Sequence, residues 1–322
     1  MKNIKIAVIG IGGRTGTMFA FELAKVSDVL GIGREIEKEI LVERESKREP
    51  FLVETISDSN WSTSYIPDII FLATKNPVSP VIEYYYGKMS DRSDFPTLIL
   101  SQNGAAVTEE ASCALKKALG PNYDKVRIIR LNLFNPIDRK QESNNVIVNY
   151  SLPIKVSFGK VSGPGDTKDI KKLFKKAGFE AQEFSAKQIK NMELSKLFFN
   201  LIGMPSATRG LSVVEGFEDK ESFIEEFLAL KEYVMAVEWS GHSFVNFPKY
   251  PVKVLSFLIK ILPINLLVPF RKNIAQIVSK GREGKPKDLS EIRYYNGIVV
   301  DLGKRANVLT PINLKVVSRI LK

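Results

Sequence analysis

The sequence has very little cysteine and histidine: its 322 residues contain one of each, Cys113 and His242. A single cysteine cannot form an intrachain disulfide, and a single histidine nearly excludes a histidine-based acid/base pair or a zinc site. We therefore expect no metal, and any proton transfer must use lysine, aspartate, glutamate or tyrosine. The lone cysteine, together with an N-terminus that runs directly into a strand pattern instead of a signal segment, predicts a cytoplasmic protein.

The sequence also lacks an uninterrupted apolar run long enough to cross a membrane. Residues 252–270 are strongly apolar, but Lys253 and Lys260 interrupt them, and Pro263 and Pro269 would break a helix. We therefore predict no membrane span. A buried helix pair or a subunit interface is expected here, with peripheral contact to a membrane as the alternative.

The net charge is +11, which favours anions near the surface. Lysine and arginine are spread along the chain, without zinc-finger spacing or the signature of a DNA-recognition helix. The charge is therefore interpreted as a solvated basic surface, and nucleic-acid binding is not expected. Binding of nucleic acid or acidic lipid stays open as an alternative function.

A glycine-rich turn follows the first strand pattern. An apolar run through Ile9 leads into Gly10-Ile11-Gly12-Gly13-Arg14-Thr15-Gly16, and a helical pattern follows. Such a turn brings the backbone close to a pyrophosphate and aims N–H groups at it. The spacing departs from G-x-G-x-x-G because the third glycine comes one residue late. We predict that the phosphates of a dinucleotide contact Gly10, Gly12, Gly13, Arg14 and Thr15; a purely structural turn is the alternative.

The first 185 residues alternate strand and helix patterns, and the remainder is helical. Strands are predicted at 28–34, 51–56, 68–75, 97–101 and 126–133, antiparallel strands at 145–152 and 154–161, and a last strand at 179–184. The predicted fold class is therefore α/β. A Rossmann-type, mostly parallel sheet occupies residues 1–185 as a dinucleotide-binding domain, and an all-α domain for substrate binding and dimerisation occupies residues 186–322.

Polar residues stand where predicted parallel strands end, at the edge of the sheet that binds ligands in such folds. Arg34, Lys75 and Asn103 each occupy such a position. Arg34 favours NADP over NAD, because a guanidinium fits the 2′-phosphate, although Glu35 follows it immediately. A surface arginine at a strand end is the alternative.

In the helical part, Lys196 and Asn200 are four residues apart and therefore share one helix face. The apolar residues Leu197 and Phe198 beside the lysine could partly desolvate it, which would make it a better proton donor near neutral pH. The alternative is a surface lysine lying along an amphipathic helix.

Several motifs in this order resemble the ketopantoate reductases (2-dehydropantoate 2-reductases), which have a 6-phosphogluconate dehydrogenase-like fold. The resemblance covers nearly the whole chain. The matching features are the glycine turn, Arg34, Lys75, Gln102-Asn103-Gly104, the K-L-x-x-N of Lys196 to Asn200, Glu291-Ile292-Arg293-Tyr294-Tyr295-Asn296-Gly297, and Thr310-Pro311-Ile312-Asn313.

The resemblance implies NADPH-dependent reduction of a small anionic 2-oxo acid, ketopantoate, to pantoate, a step of pantothenate and coenzyme A biosynthesis. By the same resemblance, Lys196 is the general acid and Asn200 holds the substrate. Asn103 lies between nicotinamide ribose and substrate, Glu291 binds the cofactor or orients the lysine, and Ser279 contacts the substrate carboxylate. A homodimer through the helical domain is left open.

The sequence departs from the family at Met204 and Val214, where two further substrate-binding asparagines are expected, and in the longer glycine loop. Two alternatives therefore stand beside ketopantoate reduction. One is a reductase of another small 2-oxo acid, and the other is a non-catalytic NADP-binding sensor.

Overall fold

A computed structural model describes residues 4–34, 39–62, 65–279 and 284–321. The chain forms two compact units. The first contains Met1–Gln102 and Val107–Ile189, and the second contains Asn103–Ala106 and Lys190–Lys322. The four-residue segment Asn103–Ala106 thus belongs with the helical part of the chain, although it follows a strand of the first unit.

The first unit is built on an eight-stranded sheet with the strand order β12-β11-β8-β7-β6-β1-β2-β5. Six neighbouring strands, from β8 to β5 in that order, are parallel, as predicted from the sequence. β11 joins β8 antiparallel, and β12 joins β11 parallel. The strands of this sheet are β1 (Lys5–Ile9), β2 (Asp28–Gly33), β5 (Glu54–Ser57), β6 (Ile69–Leu72), β7 (Thr97–Leu100), β8 (Ile128–Leu133), β11 (Lys155–Ser162) and β12 (Glu180–Glu183).

Both faces of this sheet are buried, because alternate residues of each central strand enter two different apolar clusters. On β1, Ile6 and Val8 join one cluster, whereas Ala7 and Ile9 join the other. The first cluster includes residues of two helices, α1 (Arg14–Ala24) and α4 (Lys168–Lys176). The second includes residues of α2 (Ser79–Gly87) and α3 (Val107–Leu119). This layering confirms the predicted Rossmann-type architecture.

A second sheet of four strands packs beside α1 in the order β4-β3-β10-β9. Its strands are β3 (Ile40–Arg44), β4 (Lys47–Pro50), β9 (Ile137–Glu142) and β10 (Asn145–Tyr150). The buried carboxylate of Glu22 links α1 to this second sheet. It accepts hydrogen bonds from Arg44 on β3 at 2.9 Å and from the Tyr150 hydroxyl on β10 at 2.6 Å. The two predicted antiparallel strands on either side of Pro153 lie in different sheets: β10 is antiparallel to β9 in this sheet, and β11 is antiparallel to β8 in the main one.

The second unit contains helices joined by turns. In its described residues the only strand-like feature is an isolated bridge between Phe247 and Tyr250. The predicted all-α character of this part is confirmed. Its helices are α5 (Ile189–Leu201), α6 (Met204–Ala207), α7 (Val213–Glu218), α8 (Lys220–Trp239), α9 (Val252–Ile261), α10 (Ile264–Leu267), α11 (Arg271–Val278), α12 (Asn296–Ala306) and α13 (Pro311–Ser318).

The apolar stretch 252–270 breaks at Pro263, as its sequence predicts, into α9 and α10. Of the two expectations for this stretch, a helix pair buried within its own chain is wrong, because Phe257 and Leu266 are 58% and 60% exposed. The other, a subunit interface, stays a prediction. Among the described residues, no single helix is long and apolar enough to cross a membrane. α9 and the segment from Ile264 to Val278 are long and apolar enough only when taken together, and the angle between them is 114°.

Candidate functional site

The glycine loop between β1 and α1 requires glycine at two positions. Gly10 has φ +98°, and a Cβ there would lie 2.9 Å from the backbone of Ala73 and Thr74, just beyond β6. A Cβ on Gly16 would lie 2.2 Å from the carbonyl oxygen of Gly10. No side chain fits at these distances, so Gly16 lets the first turn of α1 pack on the loop. The third glycine serves close packing, although it comes one residue late.

The loop is fixed from both sides. The N–H groups of Gly10 and Ile11 donate to the carbonyl of Ile32, near the end of β2, at 2.8 and 3.1 Å. The Thr17 hydroxyl donates to the carbonyl of Ile11 at 2.7 Å. Thr17 was not predicted to belong to this site, and its only signal in the sequence is a hydroxyl residue directly after Gly16. The result is a rigid turn at the carboxyl edge of the sheet.

The N-terminus of α1 has the character of an anion site. Its N-cap residue is Gly13, and no side chain caps it. The first-turn N–H groups of a helix have no intrahelical acceptor, so they can donate to a phosphate. Arg14 begins the helix, and its guanidinium donates to the carbonyl of Ile137 on β9 at 3.2 Å.

Two predicted cofactor-binding cations stand at the same sheet edge. Arg34 follows β2 directly and is exposed, and Lys75 lies three residues beyond β6 and is exposed. β1 lies between β2 and β6, and the chain order reverses at this point, which is where ligands bind in open α/β sheets. The glycine loop that no Cβ would fit, the uncapped helix and the two cations together fit a phosphorylated dinucleotide.

In the second unit, α5 carries both Lys196 and Asn200, one turn apart, as predicted. Its opposite side is fixed by buried hydrogen bonds. The Ser195 hydroxyl donates to Asn191 and accepts from the Val245 N–H, both at 2.7 Å, and the Tyr233 hydroxyl donates to the Leu194 carbonyl. Lys196 and Asn200 are half-buried. A fixed helix thus presents the candidate acid and its amide neighbour.

Four side chains of this unit form a continuous hydrogen-bonded chain. The Asn200 amide nitrogen donates to Asn103 Oδ1 at 3.3 Å. The Asn103 amide in turn hydrogen-bonds the Tyr295 oxygen. The Tyr295 hydroxyl donates to Glu291 Oε2 at 3.1 Å. The predicted residues Asn200, Asn103 and Glu291 are therefore joined through a tyrosine that the sequence analysis did not single out, although it belongs to the motif that begins at Glu291.

Tyr295 is buried, and its phenol stays protonated. Burial raises the pKa of Tyr295, and the adjacent Glu291 carboxylate raises it further, whereas the hydrogen bond from Asn103 acts in the opposite direction. The tyrosine is therefore a fixed donor to Glu291 and a fixed acceptor for Asn103 at neutral pH.

The segment that carries Asn103 is held at two further points. The Lys190 ammonium, in the first turn of α5, donates to the Ala105 carbonyl at 2.7 Å. Gly104 has φ +109°, and a Cβ there would lie 3.1 Å from Tyr294. Glycine allows this close approach to the residue that precedes Tyr295. In the Gln102-Asn103-Gly104 motif, Asn103 thus supplies the side chain that contacts Asn200, and Gly104 lets the backbone pack against Tyr294.

A cation that was not predicted from the sequence lies at the C-terminal end of α5. The Lys287 ammonium donates to the carbonyls of Asn200 and Ile202 at 2.7 and 3.1 Å. A positive charge is favourable at this end of a helix, where carbonyls lack partners. Just beyond, the buried Glu226 accepts from the N–H groups of Gly203 and Ser206, both at 2.9 Å. Burial raises the pKa of Glu226, and these hydrogen bonds oppose that shift.

In the first unit, a buried arginine supports the strand end that precedes Asn103. Arg130 on β8 is 1% exposed and donates to the carbonyls of Leu100 and Gln102 at 3.0 and 2.6 Å. An arginine on a mainly apolar strand is costly to bury unless its donors are satisfied. In the sequence, the signal for this role was the position of Arg130 within the mainly apolar strand pattern of residues 126–133.

The remaining predicted positions belong to other helices of the second unit. Ser279 ends α11, and its hydroxyl donates to the Gln276 carbonyl of the same helix at 3.3 Å. Met204 is fully buried in α6, and Val214 is half-buried on α7. Among the described residues, no group of three or more metal-binding side chains occurs.

Comparison with protein-family models and with curated proteins gives no match. Solved structures do resemble the chain. A PanE/ApbA family ketopantoate reductase from Ralstonia eutropha JMP134 is 16% identical, with a TM-score of 0.70 over 98% of this chain and 96% of that one. D-mandelate dehydrogenase, solved with NADH and anilino(oxo)acetate, is 14% identical, with a TM-score of 0.71 over 98% and 97%. The dimeric ketopantoate reductase from Staphylococcus aureus is 15% identical, with a TM-score of 0.63 over 98% and 96%.

These likenesses establish the class of fold, a Rossmann-type unit followed by a helical unit. More narrowly, it is the fold of the ketopantoate reductases, which D-mandelate dehydrogenase shares. The resemblance found in the sequence motifs therefore extends to the fold over nearly the full length of the chain.

Proposed function

We propose that the protein reduces a small 2-oxo acid with NADPH, with ketopantoate as the first candidate substrate. The observation that supports this most is the hydrogen-bonded chain from Asn200 through Asn103 and Tyr295 to Glu291, which begins one helical turn from Lys196. Polar groups that are fixed beside a lysine can orient a carbonyl substrate toward the lysine ammonium.

The phosphates of the cofactor would be held by the first unit. The proposed contacts are backbone N–H groups for the diphosphate and cations for the ribose phosphate, with Arg34 as the residue that selects NADP. When bound, NADPH supplies a hydride to the substrate carbonyl carbon. The residues proposed to bind the cofactor are Gly10, Gly12, Gly13, Arg14, Thr15, Arg34, Lys75, Asn103 and Glu291.

Lys196 would act as the general acid. As the carbonyl oxygen gains negative charge, the lysine ammonium both stabilises it and donates a proton to it, so one group does the work of an oxyanion donor and an acid. Asn200 and Asn103 would fix the substrate, Ser279 would contact its carboxylate, and Glu291 would bind the cofactor or orient the lysine.

The substrate's side chain is the least determined part of this proposal. Apolar residues stand at Met204 and Val214, where the sequence resemblance leads one to expect asparagines. D-mandelate dehydrogenase, which has the same fold, was solved with an aryl-substituted oxoacetate. A 2-oxo acid with an apolar or aromatic side chain is therefore the second candidate, and a non-catalytic NADP sensor is the third.

We further propose that the protein acts in the cytoplasm and pairs through its helical unit. A lone, exposed Cys113 suits a reducing compartment. The structure from Staphylococcus aureus is described as dimeric, which supports a homodimer as the expected assembly.

A panel of 2-oxo acids tests the proposal. Purified protein is incubated with NADPH or NADH and with ketopantoate, pyruvate, 2-oxoisovalerate or phenylglyoxylate, and the loss of reduced nicotinamide is followed by absorbance. Turnover of ketopantoate supports the first candidate, and preferential turnover of phenylglyoxylate supports the second. Tight NADPH binding without turnover of any acid would favour the sensor. The absence of both NADPH binding and turnover would overturn the proposal.

A further inference from the structure

Helix α9 has its more apolar side turned outward. Val254, Phe257, Leu258 and Ile261 are 53%, 58%, 38% and 50% exposed. Their spacing of three and four residues places them on one face of the helix. The buried positions of the same helix are Val252 and Ser256, so a serine is buried while a phenylalanine is exposed. This is the reverse of the arrangement expected for a helix whose only partner is its own core.

Exposed apolar side chains also occur beyond Pro263. Leu266 and Phe270 are each 60% exposed, and Ile277 on α11 is 68% exposed. Single exposed apolar residues are ordinary, but a regular stripe of four large ones on one helix indicates a surface that contacts something apolar. We refer to Val254, Phe257, Leu258 and Ile261 as the α9 stripe.

The surroundings of the α9 stripe are basic. Residues 243–279 contain no aspartate or glutamate, but they contain five cations: Lys249, Lys253, Lys260, Arg271 and Lys272. Lys260 forms an ion pair with Glu238 of α8 at 2.6 Å. Lys249, Lys253 and Lys272 are exposed. Lysines that border an apolar helix face are typical of helices lying at the surface of an anionic bilayer.

A second copy of the chain fits this surface less well. In a two-fold dimer the same patch meets itself, so the basic residues of one copy would approach basic residues of the other. No acidic residue in 243–279 would neutralise them. Like charges brought together in an interface cost binding energy, whereas anionic lipid headgroups offset all of these charges at once.

We propose that the α9 stripe docks the protein onto an anionic lipid bilayer. α9 lies in the plane of the headgroups, with Phe257 and Leu258 inserted toward the acyl chains and Lys253 at headgroup level. The 114° bend at Pro263 keeps the segment at the surface instead of across the membrane. The inference does not depend on the proposed reductase activity, because no residue of the α9 stripe is assigned to cofactor or substrate.

Cosedimentation with vesicles tests the inference. The full-length protein is mixed with vesicles of phosphatidylcholine and phosphatidylglycerol at three to one, or of phosphatidylcholine alone, at low and at high salt. We expect at least tenfold stronger binding to the anionic vesicles, weakened by added salt because lysine-headgroup attraction is screened. Failure to bind the anionic vesicles overturns the proposal, as does equal binding to both compositions.

Variants locate the contact. Phe257→Ser with Leu258→Ser is expected to weaken vesicle binding by at least tenfold, because two inserted apolar side chains are lost. Lys253→Gln is expected to weaken it severalfold. Leu52→Ser and Leu309→Ser are matched controls, since these leucines are 85% and 89% exposed outside the stripe, and both should bind as wild type does. Thermal melting shows that each variant is folded.

Sedimentation velocity without vesicles tests the alternative that a second copy of the chain covers the α9 stripe. If the wild-type protein is a dimer that the Phe257→Ser and Leu258→Ser pair dissociates, the stripe is an interface between copies, and the lipid proposal is wrong. An oligomeric state unchanged by that pair, combined with its loss of vesicle binding, supports the proposal.

Discussion

The Asn200 amide nitrogen lies 3.3 Å from the side-chain oxygen of Asn103, a residue 97 positions earlier in the chain. Since the Asn103 oxygen faces Asn200, its amino group faces Tyr295, which in turn donates to Glu291. Each amide can orient in only one way without losing a hydrogen bond. The proposed substrate-binding groups are therefore fixed before any ligand arrives, which lowers the cost of ordering them during binding.

Tyr295→Phe is expected to lower kcat/KM for the 2-oxo acid about tenfold. The change keeps the buried ring but removes the hydrogen bond to Glu291 and leaves the Asn103 amide without that acceptor, and such losses cost about 1–3 kcal/mol. Steady-state kinetics gives the effect.

Tyr86→Phe is the matched control, because its buried hydroxyl donates to the Pro96 carbonyl in the first unit. It should lose similar stability and keep full turnover. If Tyr295→Phe behaved like Tyr86→Phe, the hydrogen-bonded chain would be structural only.

The sequence predicted the main sheet well because its strands carry strong local signals. The central strands are short apolar runs that end at polar residues, and burial of both faces makes such runs unambiguous. The second sheet has weaker signals. β4 reads Lys-Arg-Glu-Pro and β9 reads Ile-Asp-Arg-Lys-Gln-Glu, so neither has an apolar strand pattern. Each pairs in a hairpin with the adjacent strand, β3 or β10, and only the β3–β10 pair joins distant parts of the sequence.

The sequence motifs named three residues that the structure joins by hydrogen bonds, but they did not predict those hydrogen bonds. Asn103, Asn200 and Glu291 stand in recognisable motifs, whereas Lys287 interacts with backbone carbonyls, which leave no trace in a side-chain pattern. A different limit explains the wrong expectation of a buried helix pair at residues 252–270. An apolar helical period shows that a face will contact apolar groups, but not whether those groups belong to the same chain.

Lys196→Ala is expected to reduce turnover by at least a hundredfold while changing NADPH affinity less than twofold. Loss of a general acid commonly costs that much, and the proposed cofactor contacts lie on other residues. Stopped-flow or steady-state rates measure the first quantity, and fluorescence titration measures the second.

Lys187→Ala is the control for this change, because Lys187 is exposed in the turn before α5. Near-normal rates in the Lys196 variant would show that this lysine is a surface residue of an amphipathic helix.

Arg34→Gln is expected to weaken NADPH binding about 10- to 100-fold and to leave NADH binding within about twofold. A charge-assisted contact to the 2′-phosphate contributes about 1.5–3 kcal/mol, and NADH has no such phosphate. Isothermal titration with each nucleotide measures the ratio. Arg92→Gln, which removes a cation paired with Asp94 at 3.3 Å, should change neither affinity. Equal losses for both nucleotides would mean that Arg34 does not select the phosphate.

Glu225 on α8 ties the C-terminal residues to the helical unit, and its contribution should depend on pH. It is 5% exposed and accepts hydrogen bonds from Arg319 at 2.7 Å and from Arg209 at 2.8 Å. Burial alone would raise the pKa of Glu225, but these two arginines outweigh that effect and hold the pKa below its ordinary value.

A carboxyl whose pKa is lower in the folded state adds stability above its unfolded pKa and loses it as pH falls through the folded value. Glu225→Gln is therefore expected to lower the free energy of unfolding by about 1–3 kcal/mol at pH 7, since the arginines are partly exposed, and by clearly less at pH 3. Denaturant titrations at both pH values measure the difference. Glu221→Gln, whose side chain is 84% exposed and lies 3.8 Å from Arg209, should change stability by less than about 0.5 kcal/mol. A loss of the same size at pH 3 and pH 7 would show that Glu225 acts through packing and not through its charge.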